Sequence, residues 1–401
     1  MTALFETVEL APRDPIFGLN EQFNADTNPN KVNLGVGVYQ TDEGKIPLMG
    51  AVHKAELALA QEGAARNYLP IDGLARYNQA TQKLLFGADS QAVKKGLVAT
   101  IQTLGGTGAL KIGADFLSGL LPIKTVYISD PSWENHRAIF QRAGYTVNTY
   151  PYYNEQTKAL NLDAMVDTLA KLPAKSLVVL HACCHNPTGL DPTPEQWEVI
   201  AKTIRDADLV PFIDIAYQGF GEGLDTDAAV VRLFAQMGIT TFISSSYSKS
   251  FSLYGERVGA LSILCQSTDE AERVLSQVKR VVRTNYSNPP THGALVVATT
   301  LDNPTLFNEW STELSAMRER IKSMRQQLVE KLHALQNKQR FDHVLTQRGM
   351  FSYSGLQAQQ VEQLRDQHAV YAVLSGRICL AALNHSNIDY VAKAIAEVLQ
   401  N

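Results

Sequence analysis

The 401-residue sequence contains only four cysteines, and this scarcity limits the covalent cross-links it can form. Cys183 and Cys184 are adjacent, and neither Cys265 nor Cys379 completes a C-x-x-C pair. Such spacing is a poor disulfide framework, so we expect a reducing, cytoplasmic setting. The first fifteen residues, MTALFETVELAPRDP, also lack the apolar core of a secretory signal, and none is expected.

The sequence also lacks a surplus of charge of either sign and any long apolar segment. Lys and Arg number 36 and Asp and Glu number 40, so the net charge of −4 gives no reason to expect a nucleic-acid partner. No apolar run approaches the ~18 residues of a membrane span, so no membrane partner is expected. A chain of 401 residues is long for one core, and two domains are expected.

The middle of the chain alternates between strand-like and helix-like segments. Apolar, β-branched runs predict strands at 97–103, 124–130, 176–182, 209–215, 240–246 and 260–265. Most of them are separated by stretches with helical spacing, such as DAMVDTLAKL and EQWEVIAKTI. This alternation predicts an α/β fold with a mostly parallel sheet between helices. Ligands of such sheets bind at the carboxyl ends of the strands, so the residues that follow each strand are the candidates for chemistry.

The pattern changes near residue 304. Apolar residues recur every three or four positions from Leu306 to Leu335, which predicts one long helix with Pro304 in its first turn. Two strand-like runs and an amphipathic helix follow, which predicts a smaller α+β domain. The strand-like run VNLGVGVY lies outside the alternating region and is expected to pack with that domain. We therefore predict an N-terminal arm (1–14), a large domain (48–310), and a small domain formed by 15–47 with 311–401.

Two candidate motifs have ordinary alternatives. The run TLGGTGALK ends at Lys111, where glycines at a strand-to-helix junction let backbone N–H groups approach a phosphate, although a tight turn explains it equally well. It matches neither a P-loop nor G-x-G-x-x-G. In HACCHNPTG, the side chains of His181, Cys183 and His185 would share one face of a strand. A metal site is one interpretation, but no matching ligand pair occurs elsewhere, and structural histidines are the other.

Two charged residues follow predicted strands. Asp214 ends an apolar strand, and a carboxylate there needs a partner such as a protonated pyridine nitrogen, an arginine, or the N–H groups of a helix it caps. Lys249 lies among hydroxyl-bearing and small residues, with Arg257 eight positions later. A lysine in a partly desolvated, cationic site has a lowered pKa and is nucleophilic toward aldehydes. The hydroxyls and the arginine could hold a phosphate.

The order of motifs over the whole chain resembles one family. GGTGAL, DPSWENH, HNPTG, DIAYQGF, SKSFSLYGERVG, NYSNPPTHGA and SGRICLAAL are similar to the aspartate and aromatic-amino-acid aminotransferases, class I enzymes of pyridoxal-phosphate (PLP) fold type I. The resemblance implies a large PLP-binding domain with a mostly parallel sheet, a smaller α+β domain, and PLP as the cofactor. It also implies amino acids and 2-oxo acids as substrates, and a homodimer with active sites shared between subunits. It implies no metal.

The resemblance also implies roles for individual residues. Lys249, Asp214 and Tyr217 would be catalytic: Lys249 would bind PLP covalently and move a proton, while Asp214 would pair with the pyridinium nitrogen. The cofactor would contact Gly106, Thr107, Trp133, Asn186, Asp214, Tyr217, Ser246, Ser248, Lys249 and Arg257, with Tyr68 reaching its phosphate from the other subunit. The substrate would contact Gly37, Trp133, Asn186, Arg377 at its α-carboxylate, and Arg283 of the other subunit at a distal carboxylate.

The segment after Lys249 bears on the substrate. It reads SFSLYG at 250–255, as in the aromatic members, where aspartate-specialised bacterial members usually read NFGLYN. The resemblance therefore favours transfer of amino groups from tyrosine, phenylalanine and also aspartate to 2-oxoglutarate by a ping-pong mechanism. One alternative is an aspartate aminotransferase with little aromatic activity. Another is a non-catalytic binding module of the same fold, because fold alone does not fix function.

Overall fold

The structure is a computed structural model that describes residues 4–11, 14, 16–65, 67–335 and 341–400. Residues 1–3, 12 and 13 of the predicted arm lie outside the described residues, as do 15, 66, 336–340 and 401 of the predicted domains. The helices are α1 (Phe17–Ala25), α2 (Gly50–Glu62), α3 (Ala75–Phe86), α4 (Gln91–Lys94), α5 (Gly105–Leu120), α6 (Glu134–Arg142), α7 (Leu162–Ala170), α8 (Pro194–Asp206), α9 (Leu224–Asp227), α10 (Ala229–Gln236), α11 (Thr268–Asn285), α12 (His292–Asp302), α13 (Pro304–Ala334), α14 (Asp342–Leu345), α15 (Ala358–His368) and α16 (Ile388–Val398). The strands are β1 (Val32–Asn33), β2 (Val98–Leu104), β3 (Thr125–Asp130), β4 (Thr146–Pro151), β5 (Tyr153–Asn154), β6 (Ala159–Leu160), β7 (Leu177–His181), β8 (Val210–Ile215), β9 (Thr241–Ser246), β10 (Val258–Leu264), β11 (Phe351–Tyr353), β12 (Val370–Tyr371) and β13 (Arg377–Cys379).

Within the described residues, seven strands form the central sheet in the order β2-β10-β9-β8-β7-β3-β4. The pairs β9–β8, β8–β7, β7–β3 and β3–β4 are parallel, which confirms the predicted α/β architecture. Only β10 runs antiparallel to its neighbours β2 and β9. The segment 247–257 joins β9 to β10 without a helix, and parallel strands need a longer crossover. This irregular segment carries Lys249 and Arg257.

The sheet is buried on both faces. Every residue of β7, β9 and β10 is buried, as expected for strands covered by helices on both sides. Successive side chains of β8 enter different cores: Phe212 packs in the cluster that includes α5 and α6, whereas Ile213 packs in the cluster that includes α8, α10 and α12. Because both faces of the sheet are packed against helices, the position of each strand end is fixed. The candidate site residues follow these strand ends.

The long helix predicted from residue 304 is α13, which ends at Ala334. Asn303 caps it by accepting hydrogen bonds from the N–H groups of Thr305 and Leu306, and Pro304 occupies the first turn, where a missing N–H is tolerated. Beyond it, β11 pairs with β13, and β1 pairs in parallel with β12. The run before residue 48 thus contacts the C-terminal elements. No helix in the described part of the chain has an apolar stretch long enough to cross a bilayer.

Candidate active site

The loops after β2, β3, β7, β8 and β9 surround one cavity of about 840 Å³ at the carboxyl ends of the parallel strands. Residues of the irregular N-terminal run and of β11 and β13 close its other side. Twelve of the predicted site residues line it: Gly37, Gly106, Thr107, Trp133, Asn186, Asp214, Tyr217, Ser246, Ser248, Lys249, Arg257 and Arg377. Tyr68 and Arg283 do not.

One end of the cavity is built to bind an anion. Helix α5 starts directly after β2, and its N-cap residue Leu104 makes no side-chain capping bond, so the N–H groups of the first turn have no side-chain partner. The guanidinium of Arg257 lies against this turn: a Cβ at Gly105 would be 2.6 Å from its Nη2. Arg257 also donates to the Ser248 hydroxyl, with Nη1 3.4 Å from Oγ. A helix N-terminus with an arginine and hydroxyls is suited to a phosphate.

Three glycines allow α5, β9 and β10 to come close together at this end of the cavity. Gly105 has φ +67°, a conformation that favours glycine, and Gly259 lies against it, since a Cβ at Gly259 would be 2.4 Å from the Gly105 carbonyl carbon. A Cβ at Gly106 would lie 3.3 Å from the Cβ of Ser246. The GGTG run is therefore more than a tight turn, because the lack of a side chain at Gly105 and Gly106 lets α5 lie close to β9 and β10.

Lys249 lines the cavity, and its Nζ lies 4.9 Å from the centre of the Tyr217 ring. The pKa of Lys249 is lowered to about 8: burial is the largest cause, the carboxylate of Asp214 opposes it, and the positive charges of Arg257 and Arg377 add to it. A larger share of this lysine is therefore a neutral amine at neutral pH than for a lysine in water. A neutral amine is a nucleophile toward aldehydes, as the sequence predicted.

Asp214 lies at the end of β8, and its Oδ2 is 3.0 Å from Nε2 of His136. The other ring nitrogen of His136 is 3.0 Å from the Ser132 hydroxyl. Burial raises the pKa of the Asp214 carboxyl, but the hydrogen bond from His136 and nearby positive charge outweigh it, so the pKa is lowered overall. The cavity therefore contains an ionised carboxylate that could pair with a protonated ring nitrogen.

His181 and His185, the two histidines of HACCH, make hydrogen bonds to other groups of the protein. Nδ1 of His181 accepts from the Asn186 N–H, and both nitrogens of His185 have partners, the Ser129 and Thr188 hydroxyls. Burial and the neighbouring His136 lower the pKa of His181 to about 3, so its ring is neutral. These bonds fit the interpretation of structural histidines better than that of metal ligands.

Arg377 is a second candidate anion site in the same cavity. Its side chain is buried, with Nη2 2.6 Å from the Gly35 carbonyl oxygen and Nη1 3.2 Å from Oδ1 of Asn186. The ring of Phe351 lies under the guanidinium at 4.2 Å. Burial lowers the pKa of Arg377, and within the described residues its Nε has no hydrogen-bond partner. A buried arginine with spare donors facing a cavity is suited to a ligand carboxylate.

Sequence reasoning gave no role to three residues that shape the site. His136 supports Asp214, Phe351 covers Arg377, and the hydroxyl of Tyr254 accepts the Tyr39 N–H at 2.9 Å. His136 and Tyr254 lie within the motifs DPSWENH and SLYGERVG, so the signal was present but unused. Phe351 lies in a run predicted only as a strand, and a single aromatic residue there carries no chemical signal.

Tyr68 and Arg283 lie outside the cavity of their own chain. The side chain of Tyr68 is 92% exposed, and Arg283 lies exposed in the last turn of α11, next to the Ser287 hydroxyl. A single chain therefore does not bring these two residues to the other twelve, and their roles stay predictions.

The residues present fit PLP together with an amino acid: a phosphate site, a carboxylate for the ring nitrogen, a lysine with a lowered pKa, and a second anion site. The similarity of the chain to known proteins supports this fit. Residues 29–395 match the family model described as aminotransferase class I and II. The chain is 59% identical to an aspartate aminotransferase of Pseudomonas aeruginosa and 50% identical to an aromatic-amino-acid aminotransferase of Escherichia coli, in both cases over 99% of this chain and 100% of the relative.

A solved structure is equally similar. The aromatic-amino-acid aminotransferase of Burkholderia pseudomallei, covalently bound to pyridoxal phosphate, is 59% identical, with a TM-score of 0.97 over 99% of this chain and 100% of that one. The fold, the cofactor and the type of enzyme predicted from the motifs are thereby confirmed. The chain belongs to the class I and II aminotransferases and is a PLP-dependent transaminase.

Proposed function

We propose that this transaminase moves amino groups from aromatic amino acids, tyrosine and phenylalanine, and also from aspartate, to 2-oxoglutarate by a ping-pong mechanism. The observation that carries this proposal is the single cavity of about 840 Å³ in which Lys249, Asp214 and Arg377 meet. It has one anion site at each side and room for an aromatic or a carboxylate side chain. Relatives named for either substrate resemble the chain equally well, which supports a dual enzyme.

In this proposal the cofactor is held at its phosphate and its ring. The first turn of α5 at Gly106 and Thr107, together with Ser246, Ser248 and Arg257, holds the phosphate. Asp214 pairs with the ring nitrogen, Tyr217 and Asn186 bond the phenolic oxygen, and Trp133 covers one ring face. When bound, PLP supplies a conjugated ring that accepts the electron pair released at the Cα of the amino acid.

Lys249, Asp214 and Tyr217 carry the proton chemistry. The Nζ of Lys249 would take the proton from the substrate Cα and deliver it to C4′ of the cofactor, because a pKa of about 8 lets it be either amine or ammonium near neutral pH. Asp214 stays ionised because His136 donates to it. Burial raises the pKa of Tyr217, so its hydroxyl keeps its proton and serves as a donor.

Substrate recognition is proposed to depend on two arginines from different subunits. Arg377 binds the α-carboxylate through its planar fork, with Asn186 and Gly37 beside it. Arg283 of the partner subunit binds a distal carboxylate, and Tyr68 of the partner subunit reaches the phosphate.

A homodimer follows from this arrangement, and the exposed surface supports it. Tyr68 and Arg283 are exposed and do not line the cavity of their own chain. Large apolar side chains in the described part of the arm are also more than two-thirds exposed: Leu4, Phe5, Val8 and Leu10. Apolar residues grouped in one segment are typical of a surface that a partner covers.

Two further expectations stand as proposals. The division into an arm (1–14), a large domain (48–310) and a small domain (15–47 with 311–401) is supported by the pairing of β1 with β12. A cytoplasmic location is supported by Cys183, Cys184, Cys265 and Cys379, which are free thiols.

The test is a single-turnover absorbance experiment. Purified, PLP-loaded protein is mixed with phenylalanine and, separately, with aspartate, and the cofactor spectrum is followed. We expect both amino acids to convert the cofactor to its amino form, and 2-oxoglutarate to restore the starting spectrum. Conversion by aspartate alone would instead support the second candidate, an aspartate aminotransferase with little aromatic activity, which the name of the Pseudomonas relative favours. No conversion by any amino acid would support a binding module.

Replacing Arg283 should separate the two substrate types. In Arg283→Leu we expect kcat/KM for aspartate to fall about 10²-fold, because a charge-assisted bidentate contact to the distal carboxylate is lost. The value for phenylalanine should change less than about threefold, because its side chain has no charge to bind. Steady-state kinetics with both donors measures this split. The matched control is Arg280→Leu, one turn earlier on α11, which should leave both values unchanged; equal losses in Arg283→Leu would contradict the assigned role.

A further inference from the structure

A buried glutamine joins the two segments that carry Tyr68 and Arg283. Gln102 lies in β2 and is 2% exposed. Its Oε1 accepts the N–H of Leu74 at 3.1 Å, at the end of the loop 67–74, here named the Tyr68 loop. Its Nε2 donates to the carbonyl oxygen of Pro290 at 2.7 Å, in the stretch 283–290, here named the Arg283 segment. One side chain thus bonds both segments at once.

The backbone of Gln102 also hydrogen-bonds to both segments. The N–H of Gln102 donates to the Asp72 carbonyl oxygen at 3.0 Å, within the Tyr68 loop. Its carbonyl oxygen accepts the hydroxyl of Tyr286 at 3.3 Å, within the Arg283 segment. Gln102 therefore makes two hydrogen bonds to each segment from a buried position, where loss of a partner costs free energy.

The Tyr68 loop is shaped to approach this residue. Gly73 has φ +91°, and a Cβ there would lie 2.3 Å from the Cβ and 2.6 Å from the Oε1 of Gln102. The loop can therefore pass over Gln102 only without a side chain. The carboxylate of Asp72 also pairs with Nζ of Lys279 at 3.1 Å, and Lys279 lies one turn before Arg283 on α11. The loop and the helix end are thus fixed to each other.

We propose that Gln102 is a positioning residue that acts in the active site of the partner subunit. By holding the Tyr68 loop and the Arg283 segment at a fixed separation, it sets where the cofactor-phosphate contact and the distal-carboxylate contact enter the other subunit. This inference rests on the proposed homodimer with shared sites. The competing view is that Gln102 serves its own subunit, because the phosphate-binding turn at Gly105 begins three residues later on the same strand.

The first test is Gln102→Met, which keeps the length of the side chain and removes both of its hydrogen bonds. We expect the dissociation constant of PLP and the KM for aspartate each to rise about tenfold, because two backbone groups lose their buried partners. With saturating PLP, the kinetic constants for phenylalanine should change less than about twofold. The matched control is Gln82→Met, because Gln82 also bonds β2, at Val98 and Thr100, and contacts neither segment.

The decisive test places the substitution in one subunit of a hybrid dimer, made by co-expressing two differently tagged chains. In the first hybrid, one chain carries Lys249→Ala together with Gln102→Met and the other is unchanged. In the second hybrid, one chain carries only Lys249→Ala and the other only Gln102→Met. Each hybrid has one Lys249 site, and only in the first is that site served by a Tyr68 and an Arg283 from the altered chain.

We expect the first hybrid to show the raised KM for aspartate and to need more added PLP for half-maximal activity, because only its Lys249 site turns over. We expect the second hybrid to match a reference hybrid in which one chain carries only Lys249→Ala and the other is unchanged. A defect in the second hybrid but not the first, or equal defects in both, would overturn the inference and favour the role within one subunit. If Gln102→Met does not fold, Gln102→Glu is used in the same hybrids, because it keeps the acceptor for Leu74 and loses the donor to Pro290.

The proposed homodimer is measured separately by light scattering of the unchanged protein. A fully active monomer would remove the homodimer proposal and this inference with it. A dimer whose hybrid defects stay in the altered chain's own site would remove this inference alone.

Discussion

Lys249→Ala is expected to lose transamination by about 10⁴-fold or more while still binding PLP, because one side chain is both the nucleophile and the proton carrier. No other described lysine lines the cavity. The phosphate site at Arg257 and the carboxylate of Asp214 do not depend on Lys249, so the cofactor should remain bound without a covalent link. The measurements are kcat with aspartate and phenylalanine, and the amount of PLP retained after gel filtration and after denaturation.

Loss of transamination together with retention of PLP is expected only when the lysine that is replaced lines the cavity. Lys171→Ala removes an exposed lysine that pairs with Asp167 on α7, and it should change neither kcat nor cofactor retention. If Lys249→Ala kept more than a tenth of the activity, the assignment of the proton carrier would be wrong. If it lost PLP entirely, the phosphate site at the start of α5 would be weaker than its geometry implies.

Much of the fold could be predicted because local patterns and tertiary structure agree. Each of the six strands predicted in the alternating region exists to within two residues at either end, and the long helix begins at Pro304 as its capping sequence indicates. The strand-like run VNLGVGVY is a strand only at Val32–Asn33. The direction of β10 was not predictable from its composition. Its direction follows from the connection 247–257, which is too irregular and short for a helical crossover. The apolar pattern of a buried strand contains no information about direction.

Some residues of the site could be predicted from the sequence and others could not, for a physical reason. Residues proposed to touch a ligand directly, such as Lys249 and Arg377, belong to motifs whose chemistry restricts the residue type. Residues that act through others, such as His136 behind Asp214 and Gln102 between two loops, are identified by contacts across 78 and 188 positions of sequence. Spacing along the chain cannot reveal such contacts. Tyr68 and Arg283 differ again, because the groups they are proposed to meet belong to another chain.

Arg377→Lys is expected to lower kcat/KM by about 10²-fold for every amino donor, because all donors share the α-carboxylate that Arg377 is proposed to bind. A lysine keeps the charge and three donors but has no planar fork, so it cannot bond both oxygens of a carboxylate in parallel while bonding the Gly35 carbonyl, and it cannot stack on Phe351 in the same way.

The effect of Arg377→Lys should be equal for aspartate and phenylalanine, which is the reverse of the pattern expected for Arg283→Leu. The control Arg365→Lys changes a surface arginine paired with Asp366 and should leave kcat/KM unchanged. Steady-state kinetics with both donors tests the pair of arginines together. A loss in Arg377→Lys confined to aspartate would mean that Arg377 binds the distal carboxylate, and that the buried guanidinium beside Asn186 faces the substrate side chain instead of its α-carbon.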